Sequence, residues 1–104
     1  MYRGTTPTYT FTMPEGVDLT LADEIYVTFC KTNDALIMTK TGADLVVSSD
    51  KVDVFLTQEE TLAFPNGFVQ VQLNWLYQEE GRSKRACSNK MRIKAEKNLI
   101  DEVL

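Results

Sequence analysis

The feature that most constrains the fold of this chain is a period-two alternation of side chains that returns along most of its length. Successive side chains of a β-strand point to opposite faces, so apolar residues at every second position predict a strand with one buried face. The alternation is clearest from Phe68 to Tyr77, where apolar side chains, Trp75 among them, alternate with amides and predict the centre of the core. Turn-forming residues separate the runs at intervals of about ten residues. The other runs that we predict as strands are 8–13, 24–31, 35–41, 45–47, 51–57 and 84–93.

One short stretch interrupts this pattern with a helix signal. Thr57-Gln58-Glu59-Glu60 is a capping box, in which the Thr57 hydroxyl and the Glu60 carboxylate each accept a hydrogen bond from the other residue's backbone N–H. Because Pro65 follows closely, only a short helical turn near residues 58–63 fits. About seven to eight strands joined by short turns predict an all-β antiparallel sandwich, with a small barrel as the alternative.

The end of the chain follows a different pattern. Four apolar residues have helical rather than alternating spacing: Leu99, Ile100, Val103 and Leu104. We therefore predict a single sandwich domain over residues 1–94 and a C-terminal tail over residues 95–104. The apolar side chains of this tail either pack back on the domain or dock on another chain as an interaction arm.

Charge is distributed unevenly along the sequence. Up to Gly81 there are four basic and twelve acidic residues, a balance of −8, whereas from Arg82 onward there are seven and three, a balance of +4. This asymmetry could steer a partner or a second copy, or it could reflect one strand whose solvent face is basic. The candidate interaction surface consists of four basic residues and the four apolar tail residues: Arg82, Arg85, Lys90, Arg92, Leu99, Ile100, Val103 and Leu104. The net charge of −4 and the absence of aromatic residues interleaved with the basic ones argue against nucleic-acid binding.

The composition also argues against an enzyme. The chain has no histidine, the residue that most often serves as general base, as activator of a nucleophile and as metal ligand. Its adjacent acidic pairs fall at turns and at the chain end, and no phosphate-binding or calcium-binding motif occurs. We expect no catalytic residue, no cofactor and no metal site.

Two further features bear on location and oxidation state. The chain has no apolar stretch long enough to cross a membrane and no apolar segment typical of a secretory signal, so we expect synthesis in the cytoplasm. Cys30 and Cys87 are then expected to be reduced. A single disulfide of the immunoglobulin kind is the alternative, since each cysteine lies in a strand-like run.

Two stretches carry a resemblance to phage proteins. The opening residues, Arg3 to Thr12, resemble the start of small proteins of prophages and tailed phages of Gram-positive bacteria. The segment from Val52 to Phe64, with the strand from Val69 to Tyr77, is similar to the strand, Thr-capped turn and strand of the immunoglobulin-like N-terminal domain of phage baseplate upper proteins.

This resemblance implies an immunoglobulin-like fold and a non-enzymatic structural or adaptor role in a tail or baseplate. The partners would be other phage structural proteins or further copies of the chain. The protein would reside in the bacterial cytoplasm during synthesis, with the virion as a later location. The alternative function is a small immunoglobulin-like binding module of phage origin that acts on a host protein or ligand.

Overall fold

The alternating runs form eight β-strands in two antiparallel sheets. The computed structural model describes all of residues 1–104. In chain order the elements are β1 (Thr8–Thr12), β2 (Ala22–Lys31), β3 (Leu36–Thr41), β4 (Leu45–Val47), β5 (Lys51–Phe55), α1 (Gln58–Leu62), β6 (Gly67–Glu79), β7 (Arg82–Cys87) and β8 (Met91–Ala95). The first sheet has the order β1-β5-β4, and the second has the order β3-β2-β6 with both β7 and β8 paired to the far edge of β6. Short 3₁₀ turns at Leu19–Leu21 and Gly42–Asp44 precede β2 and β4.

The order of the strands is that of an immunoglobulin-like sandwich. When β1 is counted as strand B, the first sheet has the order B-E-D and the second has the order C′-C-F-G. Strand A of an immunoglobulin domain lies beside strand B, whereas no strand of this structure pairs with the outer edge of β1. The predicted all-β antiparallel sandwich is therefore confirmed.

The core lies between the inner faces of the two sheets. Val27 and Phe29 of β2 and Val71 of β6 are fully buried, opposite Val52 and Val54 of the first sheet. Trp75 is 9% exposed and belongs to the same cluster, as the alternation predicted. Burial of these apolar side chains is the main source of stability in a sandwich of this size.

The predicted helical turn is also confirmed. The N–H of Glu60 donates to Thr57 Oγ1 at 3.3 Å, and the N–H of Thr57 donates to Glu60 Oε1 at 2.9 Å, which completes the capping box. Phe64 follows the helix and packs against Phe29, with ring centroids 5.6 Å apart. The turn is thereby fixed to the core.

The prediction of one strand over residues 84–93 is wrong, because this segment forms parts of two strands, β7 and β8. The alternation placed Cys87, Met91 and Ile93 on one face of a single strand. In the structure Cys87 is exposed on the outer face, whereas Ile93 is buried and Met91 packs against the core. A shift of one residue in register moves every later side chain to the opposite face.

Ser88 produces this register shift. Its N–H donates to the carbonyl of Leu73 at 2.9 Å, and its hydroxyl accepts from the N–H of Leu73 at 3.0 Å. The hydroxyl thus replaces a backbone carbonyl at the point where β7 ends. The chain then pairs with the same edge of β6 again as β8, in a register shifted by one residue.

The tail and the cysteines complete the comparison with the sequence. β8 ends at Ala95, which is 1% exposed, so the sandwich extends one residue beyond the predicted boundary at Lys94. No helix forms after Ala95 in spite of the helical spacing, because so short a segment cannot nucleate a helix without packing. Cys30 of β2 and Cys87 of β7 lie in one sheet with β6 between them, and both are free thiols.

Candidate interaction surface

The hairpin of β6 and β7 carries Arg82 to one end of the molecule. Its two-residue loop, Glu80 and Gly81, has positive φ angles of 53° and 73°, as a type I′ turn requires. Arg82 lies opposite Glu79, and the ammonium of Lys84 is 3.5 Å from the carboxylate of Glu79. Acidic and basic groups therefore alternate at this end, and they do not form a positive patch.

Arg85 lies on the outer face of the second sheet. Its Nε and Nη2 atoms donate to Asn74 Oδ1 at 3.1 and 3.0 Å. The side chain is exposed, so its charge is available at the surface while two hydrogen bonds fix its position.

Lys90 and Arg92 extend this basic region along the same face. The ammonium of Lys90 is 3.6 Å from the carboxylate of Asp34. The guanidinium of Arg92 lies 5.4 Å from the centre of the Phe68 ring, a cation–π contact at an exposed site. Arg85, Lys90 and Arg92 are hereafter called the basic edge.

A row of amide side chains lies next to the basic edge, on the face predicted to be polar. Gln70 Nε2 donates to Asp34 Oδ1 at 2.9 Å, and Gln72 Nε2 donates to the carbonyl of Ser88 at 2.9 Å. A groove of about 330 Å³ runs beside Gln70, Gln72 and Asn74, and a second groove of about 400 Å³ lies on the other side of Asn74, beside Tyr26 and Thr39. Because the amide side chains are already held in place, the row presents a preorganised polar surface.

The tail folds back over the N-terminal segment and α1 through polar contacts. Asp101 accepts from Arg3 Nη1 at 2.5 Å, and Asn98 Nδ2 donates to the carbonyl of Arg3 at 3.1 Å. The N–H and carbonyl of Leu104 bond to the Gln58 amide at 2.8 and 3.3 Å.

The four apolar side chains of the tail nevertheless face solvent. Leu99 is 100% exposed and Leu104 is 83% exposed, while Ile100 and Val103 are about half exposed. Of the two alternatives for the apolar side chains of the tail, packing back on the domain is not what the structure shows for Leu99 and Leu104, and docking on another chain stays a prediction.

Arg3 is central to these contacts, and the sequence did not mark it as a site residue. Besides Asp101, its guanidinium donates from Nη2 to the carbonyl of Leu62 at 2.7 Å. The partners of Arg3 lie 59 and 98 residues away, so no local pattern could have pointed to them.

The residues predicted to form one interaction surface therefore lie in three separate regions: the hairpin end with Arg82, the basic edge and the tail. Arg82 lies at the hairpin end of β6, and the tail begins at the opposite end, where Ala95 pairs with Gly67. The length of β6 places these ends about 40 Å apart. Of the three, the basic edge alone brings together predicted residues from more than one strand.

Three titratable groups have shifted pKa values. The pKa of Tyr26 is raised chiefly because its hydroxyl donates to the Glu24 carboxylate. Burial raises the pKa of Tyr9. Burial alone would raise the pKa of Glu60, but hydrogen bonds from Lys40 and from the Thr57 N–H lower it overall.

The structure holds no group of three or more acidic or cysteine side chains that could together bind a metal ion. Its helices are also too short to span a bilayer. Comparisons of the chain with protein-family models, with curated proteins and with solved structures find no match.

Proposed function

We propose that this protein is a non-enzymatic structural or adaptor component of a tailed phage or prophage. It would be associated with the tail or baseplate and would act through contacts with other phage structural proteins. The proposal draws on the resemblance of residues 3–12 and 52–64 to phage proteins, including the immunoglobulin-like domain of baseplate upper proteins. If both stretches belong to one domain, as the resemblance implies, they should contact each other in the structure.

One structural observation carries the proposal: the two stretches contact each other. The N–H of Gly4 donates to Thr61 Oγ1 at 2.9 Å, and the Thr61 hydroxyl donates to the carbonyl of Thr5 at 2.8 Å. Thr61 is fully buried. The residues that carry the resemblance thus form one interlocked element, as the resemblance to a single domain requires.

The distribution of charge is consistent with a role in assembly. The segment of charge +4 builds β7, β8 and the basic edge, whereas the segment of charge −8 builds the rest of the sandwich. A surface of one sign on a molecule of the other sign favours heterologous, head-to-tail contacts of the kind that form rings.

The decisive experiment is quantitative proteomics of purified particles. The prophage of the source strain is induced, particles are purified by density and treated with protease, and peptides of this chain are counted against those of the tail proteins. We expect a stoichiometry comparable to that of the tail proteins, with abundant cytoplasmic proteins depleted as the internal control.

Absence of the chain from intact particles whose tail proteins are detected would contradict the proposal. The alternative, a small binding module that acts on a host protein or ligand, would then be favoured. The groove beside Gln70, Gln72 and Asn74 would be its candidate binding surface, because these fixed amides can accept and donate hydrogen bonds.

A further inference from the structure

The four edges of this sandwich are not equally protected. An exposed edge strand presents unpaired N–H and C=O groups, and proteins commonly protect such edges with charges, bulges or very short strands. The edge strand β4 has three residues, β3 carries Lys40 and a register irregularity, and β7 carries three basic residues. β1 has none of these devices, since Thr8–Thr12 is uncharged and regular.

The free hydrogen-bonding groups of β1 belong to its threonines. The carbonyl of Pro7 accepts from the N–H of Leu56 at 3.0 Å, and the N–H of Met13 donates to the carbonyl of Asp50 at 2.7 Å. The backbone N–H and C=O groups of the odd-numbered residues of β1 therefore point toward β5. Backbone groups alternate in direction along an antiparallel strand. The N–H and C=O groups of Thr8, Thr10 and Thr12 therefore point away from the sheet, and they have no partner within the protein.

The sequence of β1 is nearly a palindrome centred on Thr10. It reads Thr-Tyr-Thr-Phe-Thr, so an antiparallel copy places Thr10 opposite Thr10 and Thr8 opposite Thr12. Each of these facing pairs consists of residues whose backbone groups are free, and such pairs exchange both of their hydrogen bonds. We propose that β1 pairs with β1 of a second copy of this chain, antiparallel about a two-fold axis through Thr10.

The side chains around β1 fit this pairing. Threonine would face threonine on the outer face, and Tyr9 would lie beside Phe11 of the second copy on the inner side, both of which are favourable cross-strand pairs. Tyr9 is only half-buried in the single chain, at the end of the stacked pair that it forms with Phe11.

Charge does not oppose the pairing either. Asp53 accepts from the Thr10 hydroxyl at 2.6 Å and lies one strand in from the edge. The two copies of Asp53 would be separated by three strand spacings, about 14 Å, which exceeds the screening length at physiological salt. This pairing does not depend on the proposed phage role.

Cysteine cross-linking tests the register. In a Cys30→Ser, Cys87→Ser background, Thr10→Cys would place two cysteines about 5.5 Å apart between Cα atoms, which is within disulfide reach. Thr8→Cys would place them four residues of strand apart, about 13 Å. We expect oxidation to give a covalent dimer with Thr10→Cys, none with Thr8→Cys, and a dimer when Thr8→Cys and Thr12→Cys chains are mixed.

Solution mass tests the association itself. Sedimentation of the wild-type chain over a range of concentrations should show a monomer–dimer equilibrium. Thr10→Lys would place two ammonium groups on the axis and should shift the equilibrium to monomer, whereas Thr39→Lys, the same change on edge strand β3, should not. Far-ultraviolet circular dichroism verifies that both variants are folded.

The proposal is overturned if the wild-type chain is monomeric at every concentration. It is equally overturned if Thr10→Lys and Thr39→Lys dimerise alike, or if Thr8→Cys cross-links as readily as Thr10→Cys.

Discussion

The ammonium of Lys40 lies 2.7 Å from the carboxylate of Glu60, and this ion pair ties edge strand β3 to helix α1. Lys40 is 8% exposed. Glu60 also completes the capping box of α1. One carboxylate therefore begins the helix and compensates the only buried charge of the core region.

Replacing Glu60 with Gln should destabilise the fold more than replacing Lys40 with Met. Glu60→Gln leaves the buried ammonium of Lys40 without a counter-charge and should lower the free energy of unfolding by about 2 kcal/mol. Lys40→Met leaves a carboxylate that is partly solvated, and the double variant leaves no charge. Urea denaturation of the two single variants and the double variant measures the coupling, and strictly additive effects would contradict this account.

Stability should fall in acid through Glu60. Its pKa lies below the ordinary value of 4.5 because Lys40 and the Thr57 N–H stabilise the carboxylate. A lowered pKa in the folded state contributes stability that is complete above the ordinary pKa and is lost as the pH falls through the folded value. The melting temperature of the wild-type chain should therefore decline more steeply below pH 4.5 than that of Glu60→Gln, and parallel curves would count against the shift.

Substitution at Gly4 should be more costly than substitution at Gly16. Both glycines have positive φ, 83° and 91°, which by itself costs an alanine about 1 kcal/mol. At Gly4 an added Cβ would also lie 3.3 Å from Leu62 Cδ2, whereas at Gly16 it meets nothing within 4 Å. We expect Gly4→Ala to lower the midpoint of urea unfolding further than the matched Gly16→Ala. Equal midpoints would show that the contact with Leu62 relaxes freely.

Removal of residues 99–104 should leave the fold intact and abolish binding of the partner. The tail is held by one partly buried ion pair, Arg3–Asp101, and a few hydrogen bonds, so its loss should reduce stability by about 1 to 2 kcal/mol. Incorporation into particles should be lost, because the exposed apolar side chains are removed. Asp101→Asn, which keeps those side chains, serves as the control. A large fall in melting temperature on truncation would instead assign the tail to the core.

Reversing the charge of Arg82, Arg85 and Lys90 to Glu should reduce assembly by at least about tenfold if the basic segment meets an acidic neighbour. The matched control reverses Lys31, Lys51 and Lys97, which are also exposed and change the net charge equally. Particle incorporation of the two triple variants is compared after both are shown to be folded. Similar incorporation of both would rule out the electrostatic role.

The alternation of residues was sufficient to predict the sandwich because burial of one face is a local property of each strand. Phe29, Val71 and Trp75 fall where the pattern places them, and the capping box at Thr57 is local as well. The break at Ser88 escaped prediction because the alternation continues across it. A side-chain hydroxyl that replaces a backbone acceptor leaves no trace in a hydropathy pattern.

The candidate surface was less predictable than the fold. The basic edge could be read from composition, but Arg82 and Arg85 are three residues apart on β7 and so point to opposite faces of the strand. The register shift at Ser88 places Arg92 on the same face as Arg85. The contacts that hold the tail join Arg3 to Asp101 and Gln58 to Leu104, residues brought together only by the finished fold. The open edge of β1 is likewise a property of strand order, which a single alternating run cannot specify.

The pairing of the first residues with the segment after β8 has a mechanical consequence. The N-terminal ammonium donates to the carbonyl of Lys94 at 2.7 Å, Glu96 donates to Met1, and Arg3 donates to Glu96, each at 2.9 Å. These two segments run parallel. A force that pulls the two ends of the chain apart would load these bonds together, in shear, instead of opening them one after another.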